Sequence, residues 1–335
     1  MSVRDVSHYN MGIAARRERR WREAVLEFRA AALADATDFD AVQNVVTTLA
    51  QAIEAGAPPL FSPSPLASLS PSPLGEGRGG GQPPRNSYSV IVCSVDAARE
   101  DAMRANIGRA LAGRDHELVV IHDARSLCEG YQRGLDASRF PWVVFAHDDV
   151  ELVGDDAFDA LERALERHDV VGLAGSRVVN GPAVTWAGHP HIHGCVTYPE
   201  TSNSALEVAA FSLEAGILGG MQALDGLFIA ANRDAARRVG FDAATFDGFH
   251  FYDLDFTYRA HRAGLRLAVT TEIAAIHASA GQFDSAWNRY AARFLQKNPG
   301  LTAPVGPHHS YGARLASREH IRRFHDELNA LAQHP

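Results

Sequence analysis

Two adjacent carboxylates, Asp148 and Asp149, stand just beyond the apolar run Trp142-Val143-Val144-Phe145-Ala146, with His147 between run and acids. A run of that length, rich in Val and Phe, predicts a buried, parallel strand. In open α/β sheets ligands sit beyond the carboxyl ends of such strands. Two acids there suit a hard divalent cation, Mg²⁺ or Mn²⁺, which takes carboxylate oxygens and keeps positions free for substrate phosphates. The alternative is a turn or a helix N-cap, where Asp is common. A second acidic pair, Asp253 and Asp255, opens a segment that ends in Arg259 and Arg262 before Gly264. That is the charge order a helix macrodipole favours, so capping competes with chemistry here too. The run His189-Pro190-His191-Ile192-His193-Gly194-Cys195 has donors at metal-like spacing. Zinc needs three or four of them to converge, and no helix or turn frame forces that, so a polar hairpin or loop is expected.

Positioning these groups requires an alternating fold. From Tyr88 the chain reads as strand (Ser89 to Ser94), helix (about Arg99 to Ala112), strand (Glu117 to Asp123), helix (Ser126 to Ala137), strand (Trp142 to Ala146), helix (Asp155 to Arg167) and strand (Val170 to Gly175). This succession predicts a right-handed, largely parallel sheet. No glycine-rich phosphate loop of either common spacing follows the first strand, which leaves phosphate to be held by a metal at the paired acids. Asp225 to Ala231 reads as a further strand, with Asn232 as N-cap and Gly240 as terminator of the next helix. Leu265 to Thr270 and Ile273 to Ile276 are short strands, the latter leading into His277. Trp287, Tyr290, Phe294 and Leu295 form a core stripe, and Ser317 to Leu331 is one more amphipathic helix. Residues 176 to 224 carry no clear pattern.

Before this unit, residues 9 to 55 have Tyr9, Ile13, Trp21, Val25, Phe28 and Leu33 at helical spacing, with Gly12, Ala24 and Ala31 where two antiparallel helices would approach closely. The segment is similar to a tetratricopeptide repeat, with Ala36 where that family usually has Pro. Asp38 to Ala55 would open a second repeat that is not completed, so the module is expected to dock on its neighbour or on a protein partner, because repeat units need about three copies to stand alone; the alternative is a helical hairpin with no binding role. Gly56 to Asn86, dense in Pro, Ser and Gly, is expected to be a linker. The expected organisation is 1–56 helical module, 57–86 linker, 87–300 α/β domain and 301–335 C-terminal extension with a helix.

Composition sets outer bounds. The 335 residues carry a net charge of −8, with a pI near 6.0, which argues against a nucleic-acid partner. Cys93, Cys128 and Cys195 are too few and too scattered for a disulfide framework or zinc site, and fit a reducing cytoplasm. No apolar run approaches the roughly 18 residues of a membrane span, so any membrane association would be peripheral, at the inner face.

From about Tyr88 to Asn298 the order of parts resembles the family 2 glycosyltransferases, which have a GT-A fold, a Rossmann-like, mostly parallel sheet. The resemblance implies an inverting transfer of a sugar from a nucleoside-diphosphate-sugar donor to a hydroxyl of a polar glycan or other acceptor. It implies that Ser94 and Asp96 lie against the base and ribose, and that Asp123 contacts the base. His147-Asp148-Asp149 stands where the family has its D-x-D motif, with His in place of the first acid. Asp149 then holds the metal, Asp148 contacts ribose or a metal-bound water, and His277 completes the metal site. The segment Tyr252-Asp253-Leu254-Asp255-Phe256 is similar to the family's E-D-x-D-L, with Tyr252 in place of Glu, which makes Asp253 the catalytic base and Asp255 a supporting acid. A nucleotidyltransferase is the rival within similar folds, but Val95-Asp96-Ala97-Ala98-Arg99 lacks the glycine-rich loop those enzymes carry. An inactive, partner-binding scaffold is the rival outside catalysis.

Overall fold

The computed structural model describes residues 6–61, 87–183, 187–200, 205–279, 281, 283–301 and 310–334. Most of the expected linker, residues 62–86, lies outside them. The first segment folds as α1 (Val6–Arg17), α2 (Trp21–Ala34) and α3 (Phe39–Glu54). Gly12 is where α1 crosses α2: a Cβ there would meet the Phe28 ring at 2.8 Å. Asp38 starts α3 by accepting the Ala41 amide at 3.1 Å, the usual role of an N-cap acid.

The α/β part begins with β1 (Ser87–Cys93), α4 (Ala97–Ala110), β2 (Asp115–Ile121), α5 (Leu127–Ala137) and β3 (Trp142–His147). It continues through β4 (Val150–Val153), α6 (Ala157–Leu165), β5 (Val170–Gly172), β6 (Ala174–Ser176), β7 (Ile192–Pro199) and β8 (Leu206–Ala210). Then come β9 (Ile217–Met221), β10 (Ala223–Leu224), β11 (Phe228–Asn232), α7 (Arg233–Val239) and α8 (Tyr252–Arg262). The chain closes with β12 (Leu267–Thr270), β13 (Ala274–His277), α9 (Ser285–Lys297), β14 (Tyr311–Leu315) and α10 (Arg318–Gln333).

The main sheet has the order β2-β1-β3-β11-β5-β12-β9. Strands β2, β1 and β3 are mutually parallel; β11 opposes both β3 and β5, and β12 parallels β5, so these pairings give β1, β2, β3, β5 and β12 one direction. The expected parallel sheet is therefore present, with β11 and β9 inserted antiparallel. Both faces are covered, as parallel strands require. Val90 and Val92 pack with Met103, Ile107, Phe158 and Leu161 from α4 and α6. Ile91, Val143 and Phe145 pack on the other side with Tyr131, Phe256 and Phe294.

A second sheet, β10-β6-β7-β13-β4, extends through β8 to β14. Its apolar face shares one core with the helices at both chain ends, including Val45, Leu49, Ile276, Tyr311, Phe324 and Leu328. Polar contacts fasten the same junction. Gln43 donates to the Gly312 carbonyl at 2.8 Å, and the buried Glu327 carboxylate accepts the Leu60 and Phe61 amides at 2.8 and 3.0 Å. No helix among the described residues is long and apolar enough to cross a membrane.

Candidate active site

The register of the main sheet brings three strand ends level. Cys93 lies across from Ile121 on one side and from His147 on the other, so the residues after β1, β2 and β3 emerge along one edge, where ligands of such sheets sit. The second sheet delivers His277 to the same place. In the β13–β4 pairing His277 is opposite Val150, and the Ala278 amide donates to the Asp149 carbonyl at 3.0 Å. A one-residue slip of β13 would turn His277 to the other face.

Asp149 is the centre of this edge. Its side chain is only 3% exposed, and neither carboxylate oxygen has a partner in close hydrogen-bond geometry. His277 Nε2 is 3.4 Å and His147 Nδ1 4.0 Å from Oδ1, and the two ring nitrogens are 3.2 Å apart. A first-row cation with ligands at about 2.1 Å sets neighbouring donor atoms roughly 3.0 to 3.4 Å apart. A carboxylate this buried, with its nearest imidazoles and guanidinium at 3.4 to 4.0 Å, is incompletely compensated, and a cation among these three atoms would complete the compensation. Burial acts to raise the Asp149 carboxyl. Hydrogen bonding from His277 and Ser279 outweighs it and holds the group well below the ordinary carboxylate range. Burial, and then repulsion from His277, push the His147 imidazole below its ordinary value, which favours the neutral form that binds metals.

Asp148 faces the other way. Its Oδ2 accepts the Ser94 hydroxyl at 2.7 Å, and Arg99 approaches it at 3.8 Å and Asp149 at 4.0 Å. Asp96 caps α4 by accepting the Ala98 and Arg99 amides at 2.9 and 3.1 Å. Ser94, Asp96, Asp148 and Asp149 are thus brought together. Asp123 is at the level edge but apart from them: it is 81% exposed and paired with Arg133 at 2.7 Å, which holds its carboxyl below the ordinary range.

The start of α8 supplies the fourth wall. Phe251 enters it with φ 67°, a left-handed conformation rare for an aromatic residue and characteristic of constrained sites. Tyr252 follows, its hydroxyl 2.5 Å from His147 Nε2. Asp253 comes next, and its Oδ2 accepts the Gly226 amide at 2.9 Å. Gly226 has to be glycine, because a Cβ would coincide with the Tyr252 hydroxyl. Burial, and then the neighbouring Asp225, push the Asp253 carboxyl up to about 7, although amides at the helix start oppose the shift. Asp255, 1% exposed, is paired with Arg259 at 2.8 Å and Lys297 at 2.7 Å, so it ties α8 to α9. Of the earlier histidine run, His193 is buried near Ser212 at 3.3 Å. Among the described residues the only metal-competent cluster is His147, Asp149 and His277.

Sequence reasoning missed His147, Tyr252 and Arg99 as site residues. In the sequence His147 stands only where the first acid of the D-x-D pattern is missing, and nothing local links it to Tyr252 or His277.

Residues 89–298 match a family described as glycosyltransferase-like. Among solved structures, a mannosyltransferase from Pyrobaculum calidifontis, in complex with GDP-Man and Mn²⁺, is 15% identical over 73% of this chain and 68% of its own, with a TM-score of 0.39. GalNAc-T7, with UDP, GalNAc and Mn²⁺, is 9% identical over 73% and 55%, with a TM-score of 0.40. Likenesses of this extent assign no activity. No curated protein matches the sequence. The family match spans more than half of the chain and includes the acids after β1 and β3, the start of α8 and His277, so this chain belongs to the glycosyltransferase-like family.

Proposed function

We propose that the chain moves a sugar, a hexosyl or related unit, from a nucleoside diphosphate onto an acceptor hydroxyl, with inversion and with the help of a divalent cation. The observation that carries this is Asp149, a buried carboxylate with His277 at 3.4 Å and His147 at 4.0 Å, set between the two imidazoles at the ligand edge of a glycosyltransferase-like sheet. Asp149 and His277, with His147, would hold Mn²⁺ or Mg²⁺. Such a cation would neutralise the diphosphate as it departs. Arg99, half exposed beside both acids, adds a fixed positive charge on the phosphate side. Ser94, Asp96 and Asp148 form the nucleoside side, with Asp123 reaching the base from the end of β2.

Asp253 is the group assigned to the acceptor. With its carboxyl raised to about 7, it is matched to taking a proton near neutral pH. In the transfer, the acceptor oxygen bonds to the anomeric carbon and its proton passes to Asp253. The bond from that carbon to the phosphate oxygen breaks, and its electron pair leaves with the nucleoside diphosphate. Asp255 holds α8 in place through Arg259 and Lys297. Residues 87–300 carry this chemistry, and the helices at the chain ends brace the second sheet that presents His277. The free thiols of Cys93, Cys128 and Cys195 support a reducing, cytoplasmic setting. The test is incubation with a panel of nucleotide sugars and glycan acceptors, following nucleoside diphosphate release and product anomer by NMR. Transfer with inversion, lost in Asp253→Asn, supports the reading. Turnover that survives Asp253→Asn overturns the assignment of the base.

A further inference from the structure

We propose that the cation centre is a two-imidazole, one-carboxylate site selective for Mn²⁺-like transition cations over Mg²⁺, and that Tyr252 is the positioning residue that makes His147 a ligand. The inference rests on the cation in the proposed function and goes beyond it in the selectivity and in the role of Tyr252.

His147 could turn its ring in several ways at the end of β3. Its Nε2 is engaged by the Tyr252 hydroxyl at 2.5 Å, which leaves Nδ1 directed at His277 Nε2 and Asp149 Oδ1, at 3.2 and 4.0 Å. With Nδ1 on a cation, Nε2 carries the proton and donates it to the phenol oxygen, the arrangement in which metal-bound imidazoles are held and tuned by an outer partner. Tyr252 is 5% exposed, so its hydroxyl makes this contact away from bulk water. The absence of a side chain at Gly226 makes room for that hydroxyl. The two positions at which the sequence departs from the D-x-D and E-D-x-D patterns, His147 and Tyr252, are therefore in contact with each other. Mg²⁺ takes oxygen ligands and gives up water reluctantly, whereas imidazole nitrogen suits Mn²⁺, Fe²⁺ and their neighbours. Replacing one carboxylate by a second imidazole shifts the preference away from Mg²⁺.

The test uses the full chain with the metals alone: Mn²⁺ and Mg²⁺ titration calorimetry, and pulsed EPR of bound Mn²⁺ to count coupled nitrogens. Wild type is expected to show two coupled ring nitrogens and to prefer Mn²⁺ over Mg²⁺ by about 100-fold or more. His147→Asp is expected to show one nitrogen and to lose at least about 10-fold of that preference, and His147→Gln, a neutral control of similar reach, also shows one. Tyr252→Phe should weaken Mn²⁺ about 10- to 100-fold, the usual effect of losing an outer partner, with unfolding of the metal-free protein little changed. One coupled nitrogen in wild type, or an unchanged preference in His147→Asp, overturns this inference. If Mn²⁺ binding is lost in Asp149→Ala yet indifferent to His147, the cation reading stands and the donor set proposed here falls. No Mn²⁺ binding by wild type overturns both.

Discussion

Asp253→Asn separates chemistry from stability in a way that can be calculated. In the folded chain the Asp253 carboxyl is raised from 3.8 to about 7. Below pH 4 the carboxyl is protonated in both folded and unfolded chains and carries no penalty. Between pH 4 and 7 the unfolded chain releases the proton while the folded chain retains it, so this group's stabilising contribution falls as pH rises and is fully lost above 7. The whole span corresponds to about 4 kcal/mol at about 1.4 kcal/mol per unit, an upper bound because Asp253 is half-buried and partly screened by water. Asn keeps an oxygen for the Gly226 amide and has no proton to release. The difference in unfolding free energy between Asp253→Asn and wild type should therefore grow by about 1–2 kcal/mol from pH 5 to pH 8 in metal-free buffer, while turnover falls by about 10²–10⁴. Urea denaturation at a series of pH values reads it directly, and other titrating groups largely cancel in the difference. A difference that stays flat across this range would show that Asp253 titrates as an ordinary carboxylate and would refute the reasoning.

Three further outcomes follow from single contacts. Gly226→Ala drives a methyl group into the Tyr252 hydroxyl and should cost about 1–3 kcal/mol, visible in thermal unfolding together with weaker Mn²⁺ binding by calorimetry. Lys297→Met leaves Asp255, 1% exposed, with Arg259 alone and also removes the 2.6 Å partner of Asp242; urea denaturation should show a loss of about 2–4 kcal/mol, below the cost of stripping a buried charge of every partner. Glu327→Leu removes the acceptor of the Leu60 and Phe61 amides and should cost about 1–3 kcal/mol, with faster hydrogen exchange at those two amides.

What could be read from the chain follows from how local each signal is. Strands β1, β2 and β3 announce themselves as apolar runs that stop at acids, and Ser126, Asn232 and Ser317 start their helices as N-caps, accepting the Glu129, Ala235 and His320 amides at 3.0, 3.0 and 3.2 Å. The direction of β11 was not legible, because a buried strand looks the same in either orientation. Val150–Val153 is too short to announce itself, although the turn at Asp148-Asp149 sends it into a different sheet. Residues 176 to 224 hide β7 to β10, whose pairing depends on distant partners and which include glycines such as Gly219 and Gly220 that carry no periodicity. The site splits in the same manner. Asp149 and Asp253 stand at element boundaries and could be singled out. The role of His147 could not, since its partners Tyr252 and His277 are 105 and 130 residues away, and only the sheet register brings them together.

The central claim is that this edge binds a nucleoside diphosphate through a cation held at Asp149, and thermal unfolding with a panel of nucleoside diphosphates, with and without Mn²⁺, tests it most directly. A ligand at 100 times its Kd that binds only the folded chain adds about 2.7 kcal/mol, a shift readily seen. The account predicts stabilisation by a nucleoside diphosphate that requires Mn²⁺ and disappears in Asp149→Ala. Stabilisation that is indifferent to both Mn²⁺ and Asp149, or none with any nucleotide, would contradict it.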